Sequence, residues 1–118
     1  MPQVVDESWV DLWALTRVDL NVVDMIAGTE GGAFGGKAKR CSIVVAGRDP
    51  VATDLVTAKL MGFNPDDSEF ADLAWQRGMG PGAYERIDVL GARPEGLVSL
   101  AILASAADLS LTTSCWWK

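Results

Sequence analysis

Residues 28–40, GTEGGAFGGKAKR, hold five glycines, one carboxylate and three cationic side chains between two apolar runs. Successive backbone N–H groups of a glycine-rich turn can form a concave site for an anion. We therefore predict a site for a small phosphate or carboxylate, with Lys37 and Arg40 supplying positive charge. The alternative is a flexible connection in which glycine only permits a tight backbone. The N–H groups of the predicted site belong to Gly31, Gly32, Gly35 and Gly36.

Known phosphate-binding motifs do not match this loop. Its glycine spacing fits neither GxxxxGK[ST] nor GxGxxG, both of which lead from a strand into a helix. Here an apolar run typical of a strand follows the loop. The prediction of an anion site therefore rests on the residue types in the loop and not on a known motif.

Carboxylates near the loop and after the next strand are the other candidate site residues. Asp24 and Glu30 could hold a hard cation such as Mg²⁺, or divide acid and base roles. Alternatively, Asp24 ends its strand by accepting turn N–H groups while Glu30 stays solvated. Asp49 precedes a proline and is predicted to cap a helix. Asp54, at the edge of that helix's apolar stripe, is either half-buried against a partner such as Arg48 or part of a site.

The sequence lacks the cysteine and histidine patterns of metal sites and of histidine-dependent catalysis. The chain has two cysteines without CxxC spacing and no histidine, so it carries no zinc, haem or iron–sulfur ligand pattern. Catalysis by Ser-His or Cys-His pairs is excluded for the same reason. Any reaction would depend on carboxylates, lysine, arginine, Tyr84 or backbone groups.

Composition indicates one globular domain. The chain has 118 residues, 49% of them hydrophobic and 22% charged, with a formal charge of -6. We expect a single α/β domain over residues 1–118 and no nucleic-acid partner, because nucleic-acid binding requires clustered positive charge. No charged-then-apolar leader follows Met1, and no apolar run reaches the roughly 18 residues of a membrane span, which predicts a cytoplasmic protein.

Periodicity indicates which elements position these residues. Trp9, Leu12, Trp13 and Thr16 form a helical stripe in residues 7–16, and the tryptophans are interpreted as core anchors rather than ligand stackers. Residues 18–26 and 41–47 are typical of strands, the second apolar on both faces and therefore central. Helices are predicted at 50–62 and 64–78, and a short strand at 86–91.

These elements predict an α/β fold with a small mixed sheet of about three strands, helices packed on it, and a βααβ crossover. The crossover joins the strands at 41–47 and 86–91 in parallel. The connection at 28–36 is too short for a parallel crossover, so the first two strands are expected to be antiparallel. That arrangement would place Asp24 and Glu30 at one end of the sheet and Asp49 about 20 Å away at the other. Parallel pairing would instead gather all three carboxylates.

The order of motifs in residues 9–91 resembles the C-terminal half of the domain-of-unknown-function 362 family. VDLNVVDMIAGTEGG is followed by KAKRCSIVVAGRDPVATDLVTAKLMGF, and RGMG then precedes IDVLG. The resemblance implies that the chain equals part of a larger family domain, and it implies a redox setting by association only. Met25 and GGAFGG depart from the family pattern. The matching positions are Asp24, Glu30, Gly31, Gly36, Asp49, Pro50, Val51, Asp54, Gly62, Gly78 and Gly80.

The C-terminal segment adds an expected partner. Residues 97–109, from Leu97 to Leu109, are apolar on nearly every helical face, which is typical of a buried helix. We predict that this helix packs against a second copy of the chain or a larger assembly; the alternative is that it covers the chain's own sheet. Two functions remain open: a ligand-binding or enzyme-like domain, and a non-catalytic interaction module or fragment of a larger assembly.

Overall fold

The computed structural model describes residues 2–30 and 36–94, a mixed α/β arrangement as the sequence predicts. Along the chain, a two-stranded sheet follows an N-terminal helix and precedes a helical segment. The elements are α1 (Pro2–Leu15), β1 (Asn21–Glu30), β2 (Lys37–Gly47), α2 (Pro50–Leu60), α3 (Glu69–Gln76) and two short 3-10 turns, Pro65–Asp67 and Tyr84–Arg86.

The strands β1 and β2 pair antiparallel, which confirms the predicted orientation. Asn21 lies opposite Gly47 and Glu30 lies opposite Lys37. The register shifts between Met25 and Ala27, where β2 carries an extra residue. This bulge divides the hairpin into a half that packs on α2 and a half that leads to the loop at 31–35.

Two apolar clusters surround α2. On one side, Val56 and Leu60 pack with Met25 and Cys41 from the inner face of the sheet. On the other side, the packing joins α1, α2 and α3 through a cluster of Val10, Val51, Leu55, Ala71 and Ala74. Since both clusters include α2, this helix fixes the position of the sheet relative to α1 and α3.

Helix α2 starts as its sequence predicts. Asp49 has extended backbone angles, and its carboxylate accepts a hydrogen bond of 2.8 Å from the backbone N–H of Ala52. Pro50 occupies the first helical turn, where its missing N–H costs nothing. The helix ends at Leu60 with Met61 as its C-cap, and Gly62 follows with a φ of 86°, which glycine adopts readily.

Replacing Asp49 by alanine is expected to lower the free energy of unfolding by about 1 kcal/mol, because an N–H group at the helix start loses its acceptor. Urea unfolding of the full chain measures the change. Asp88→Ala is the control, since Asp88 is exposed and caps no helix. Equal losses in the two variants would contradict the capping role.

Several predicted boundaries are wrong. Helix α1 starts at Pro2 instead of residue 7, β1 starts at Asn21 instead of residue 18, and β2 starts at Lys37 instead of residue 41. The predicted helix at 64–78 consists of a 3-10 turn followed by α3, because Ser68 caps α3 through the N–H of Ala71. Sequence periodicity does not locate such a restart.

The interpretation of β2 as a central strand needs a correction. Its burial alternates: Cys41 is buried and Val44 is 57% exposed. Within the described ranges β2 pairs only with β1. The apolar residues on both faces therefore do not indicate two buried faces here.

The third strand and the βααβ crossover are not confirmed. Residues 87–90 contain no strand, and Tyr84–Arg86 forms a 3-10 turn. Ile87 and Val89 still pack against the cluster of Met25 and Cys41. An extended segment can show the same alternation as a strand when one side packs on a core without ladder hydrogen bonds. The predicted C-terminal helix at 97–109 lies outside the described residues.

Candidate functional site

The predicted anion loop connects the two strands of the hairpin. Gly36 lies immediately before β2, and Lys37 and Arg40 are exposed on β2. Glu30 is the last residue of β1, opposite Lys37. The loop residues Gly31, Gly32 and Gly35 lie outside the described residues. The anion site therefore stays a prediction, flanked by exposed positive charge.

Asp24 does not lie at the loop end of the sheet. It pairs with Val44, three residues from the Asn21 end and six residues from Glu30 along β1 (24 − 21 and 30 − 24). Six strand residues span about 20 Å, so the expectation that Asp24 and Glu30 share one end is wrong. The sheet therefore does not bring these two carboxylates together.

The carboxylate of Asp24 has a local structural role. It accepts a hydrogen bond of 2.8 Å from the N–H of Ile26, next to the bulge. Asp24 therefore accepts a backbone N–H, as the alternative to a metal or catalytic role predicts. The bond lies within the strand, however, and not at its end. No group of three or more cysteine or acidic side chains in residues 2–30 and 36–94 could hold a metal ion.

Asp54 lies in an apolar groove, which we call the Asp54 groove. Its volume is about 350 Å³. The second half of α1, the connection from α1 to β1, the start of β1, the start of α2 and one residue of α3 form its walls. The lining residues are Trp9, Leu12, Trp13, Thr16, Val18, Asn21, Val22, Val23, Pro50, Thr53, Asp54 and Phe70.

The stripe on α1 that the sequence reveals supplies one wall of this groove. Trp9 and Trp13 lie one helical turn apart, and both line the groove. Trp13 also packs against the core cluster of Val10, whereas Trp9 is 41% exposed. Their interpretation as core anchors is therefore only half right, because the stripe continues past the core into an open cavity.

Most polar side chains of the groove already have partners. The hydroxyl of Thr16 donates to the carbonyl of Leu12 at 2.9 Å, and the hydroxyl of Thr53 donates to the carbonyl of Asp49 at 2.8 Å. The Asn21 amide donates to the carbonyl of Gly47 at 3.2 Å. These groups hold the backbone around the groove.

Asp54 differs from them. No hydrogen bond or ion pair to its carboxylate occurs within residues 2–30 and 36–94, and it is half-buried. The predicted partner Arg48 is exposed. Burial raises the pKa of Asp54 from 3.8 to about 6, because an apolar environment disfavours the charged form. The sequence places this carboxylate at the edge of a stripe, and the structure adds the groove around it.

The described helices give no evidence of a membrane span, since none is long and apolar enough to cross a bilayer. This finding concerns residues 2–30 and 36–94.

Comparison with known proteins gives one match. Residues 2–59 match the family model described as domain of unknown function (DUF362). No curated protein and no solved structure matches the chain. The matched residues include α1, the hairpin and all of α2 except its last residue, and therefore Asp24, Asp49 and Asp54. The later part of the resemblance, Gly62 to Gly80, lies beyond the match. Over residues 2–59, slightly less than half of its length, the chain is similar to the domain of unknown function (DUF362) family.

Proposed function

We propose that this chain is a small-molecule-binding α/β domain and that its ligand lies in the Asp54 groove. The observation that carries the proposal is a half-buried carboxylate without a partner among the described residues, inside a mostly apolar cavity of about 350 Å³. Ligand sites in proteins are typically apolar concavities of about 300–1,000 Å³ with a few polar groups that orient the ligand.

A purely structural role explains Asp54 less well. Even a half-buried carboxylate loses part of its hydration, and a hydrogen bond or an opposite charge normally offsets that cost. Asp49, in the preceding turn, shows what a structural carboxylate does here: it binds the N–H of Ala52. Asp54 binds no such group within the described ranges and faces the cavity. Carboxylates with raised pKa values are enriched at functional sites for this reason.

The loop at 28–40 remains a second proposed ligand site. The hairpin register supports it by bringing Lys37 and Lys39 opposite Glu30 and Gly28, in a chain of net charge -6. A small anion there would be held by side chains and backbone together. The redox setting remains an implication of the family resemblance.

An interaction module is the alternative function, and the outer face of the sheet supports it. Val22 and Val44 are 60% and 57% exposed, and Val22 also lines one side of the Asp54 groove. A second copy of the chain, or residues 97–109, could cover such a face. Light scattering tests self-association: a particle larger than 12.6 kDa is expected if two copies associate, and a monomer at micromolar concentration would contradict self-association.

The groove itself is tested with a neutral aromatic probe, 2-phenylethanol. We expect it to shift the indole N–H signals of Trp9 and Trp13 in proton–nitrogen NMR spectra of the full chain, because both rings line the groove. Trp75 lies outside the lining residues, so its indole signal is expected to stay in place.

Two valine variants separate the groove from general hydrophobic binding. Val18 lines the groove, and Val44 lies on the outer sheet face. Val18→Trp should fill the groove and abolish the shifts, whereas Val44→Trp should leave them. Both valines are exposed, so both variants are expected to fold. Absence of any shift at Trp9 and Trp13 with 2-phenylethanol, and likewise with 2-phenylethylamine and phenylacetate, would refute the proposed function.

A further inference from the structure

We infer that the ligand of the Asp54 groove is an organic cation, with an aromatic or other apolar body and one protonated amine that pairs with Asp54. This inference rests on the proposed small-molecule site and adds the chemical class of its ligand.

Charge in the groove favours a cation over an anion. Asp54 is the only ionisable side chain among the lining residues from α1, β1, α2 and α3. A bound carboxylate or phosphate would meet this negative charge and no lysine or arginine of the lining. A protonated amine would instead satisfy the carboxylate, and such charge-assisted hydrogen bonds are about twice as strong as neutral ones.

Hydrogen-bond capacity points in the same direction. The hydroxyl donors of Thr16 and Thr53 and one N–H of the Asn21 amide already bind backbone carbonyls. Two acceptors of the lining have no hydrogen bond within the described residues, the Asp54 carboxylate and the side-chain oxygen of Asn21. A ligand that brings its own N–H donors therefore matches the groove better than a ligand that brings acceptors.

The aromatic walls suit both parts of such a ligand. Trp9, Trp13 and Phe70 provide apolar surface for the body, and the faces of aromatic rings attract cations. Since one water takes up about 30 Å³ of liquid, the groove admits a molecule of on the order of ten non-hydrogen atoms. Small arylalkylamines have this size.

Three probes of nearly equal shape and different charge test the inference: 2-phenylethylamine, 2-phenylethanol and phenylacetate. Their dissociation constants are measured by NMR titration of the full chain at about pH 7.5. We expect the amine to bind about tenfold or more tightly than the alcohol, which corresponds to one hydrogen-bonded charge pair. Phenylacetate should bind more weakly than the alcohol.

Matched variants assign this preference to one residue. Asp54→Asn should weaken binding of the amine to the level of the alcohol, so that the ratio of their dissociation constants in this variant is about one. Asp88→Asn removes an exposed carboxylate outside the groove and should change neither affinity.

The pH dependence of binding provides a second readout, and it would not change if Asp54 had only a structural role. The amine stays protonated across the range, and no other lining side chain is ionisable. Protonation of Asp54 should therefore remove the preference for the amine as the pH falls from about 7.5 to about 4.5. The ratio of the two dissociation constants should approach one.

The outcomes separate the two levels of the proposal. If the alcohol and the amine bind equally to the wild-type chain, the ligand class is overturned and the groove remains a binding site. If the amine preference survives in Asp54→Asn, the pairing is overturned. If no probe binds, both the ligand class and the proposed function fail.

Discussion

Asp54→Asn is expected to stabilise the folded chain by about 1–2 kcal/mol at about pH 7.5. Burial raises the pKa of Asp54 from 3.8 to about 6 in the folded state. Between these values the folded chain keeps a proton that the unfolded chain releases, so wild-type stability falls as the pH rises. The full shift corresponds to about 3 kcal/mol, and the remaining solvent contact of a half-buried carboxylate reduces it. Asparagine has no charge to bury.

Urea unfolding at several pH values measures this effect. The variant and the wild type should unfold alike below about pH 4, diverge between about pH 4 and 6, and keep a constant difference above that. Asp88→Asn, at an exposed position, is the control and should show no such divergence. A loss of stability in Asp54→Asn at about pH 7.5 would show that the carboxylate has a structural partner.

Gly80→Ala is expected to destabilise the fold by about 2–4 kcal/mol. Gly80 has a φ of 74°, where a side chain is strained. A Cβ atom there would also lie 3.0 Å from the Cβ of Val51, which is fully buried in the second core cluster. The backbone strain contributes about 1 kcal/mol, and forced repacking around Val51 contributes the rest.

Gly78 provides a matched control for the close approach. Its φ is 75°, and a Cβ atom added to it would meet nothing within 4 Å. Gly78→Ala should therefore show the backbone strain alone, about 1 kcal/mol. Denaturant midpoints of the two variants give the comparison. Equal losses of stability in the two variants would mean that the close approach of Gly80 to Val51 adds nothing to the cost of Gly80→Ala.

The elements with local signals could be predicted from the sequence. Asp49 and Pro50 mark the start of α2 by a cap and a proline, and both have the predicted role. The short connection at 28–36 fixes the antiparallel pairing, because a parallel crossover needs more chain. These inferences use chain geometry and local hydrogen bonding, which neighbouring residues determine.

The groove could not be predicted, because a periodic pattern shows which side of an element is apolar but not what covers it. Trp9 and Trp13 belong to one helical stripe, yet only part of this stripe reaches the core. Asp24 shows a related limit. Its place relative to Glu30 depends on strand length and on the bulge after Met25, and long-range pairing determines both.

The pKa of Asp54 tests the central claim most directly, and it can be measured by carbon-13 NMR of the side-chain carboxyl groups. The free chain should show a midpoint for Asp54 near 6, and saturating 2-phenylethylamine should lower it, because a bound cation favours the charged carboxylate. A midpoint near the unperturbed 3.8 that the amine does not change would contradict both the burial of this carboxylate and its role in holding a cation.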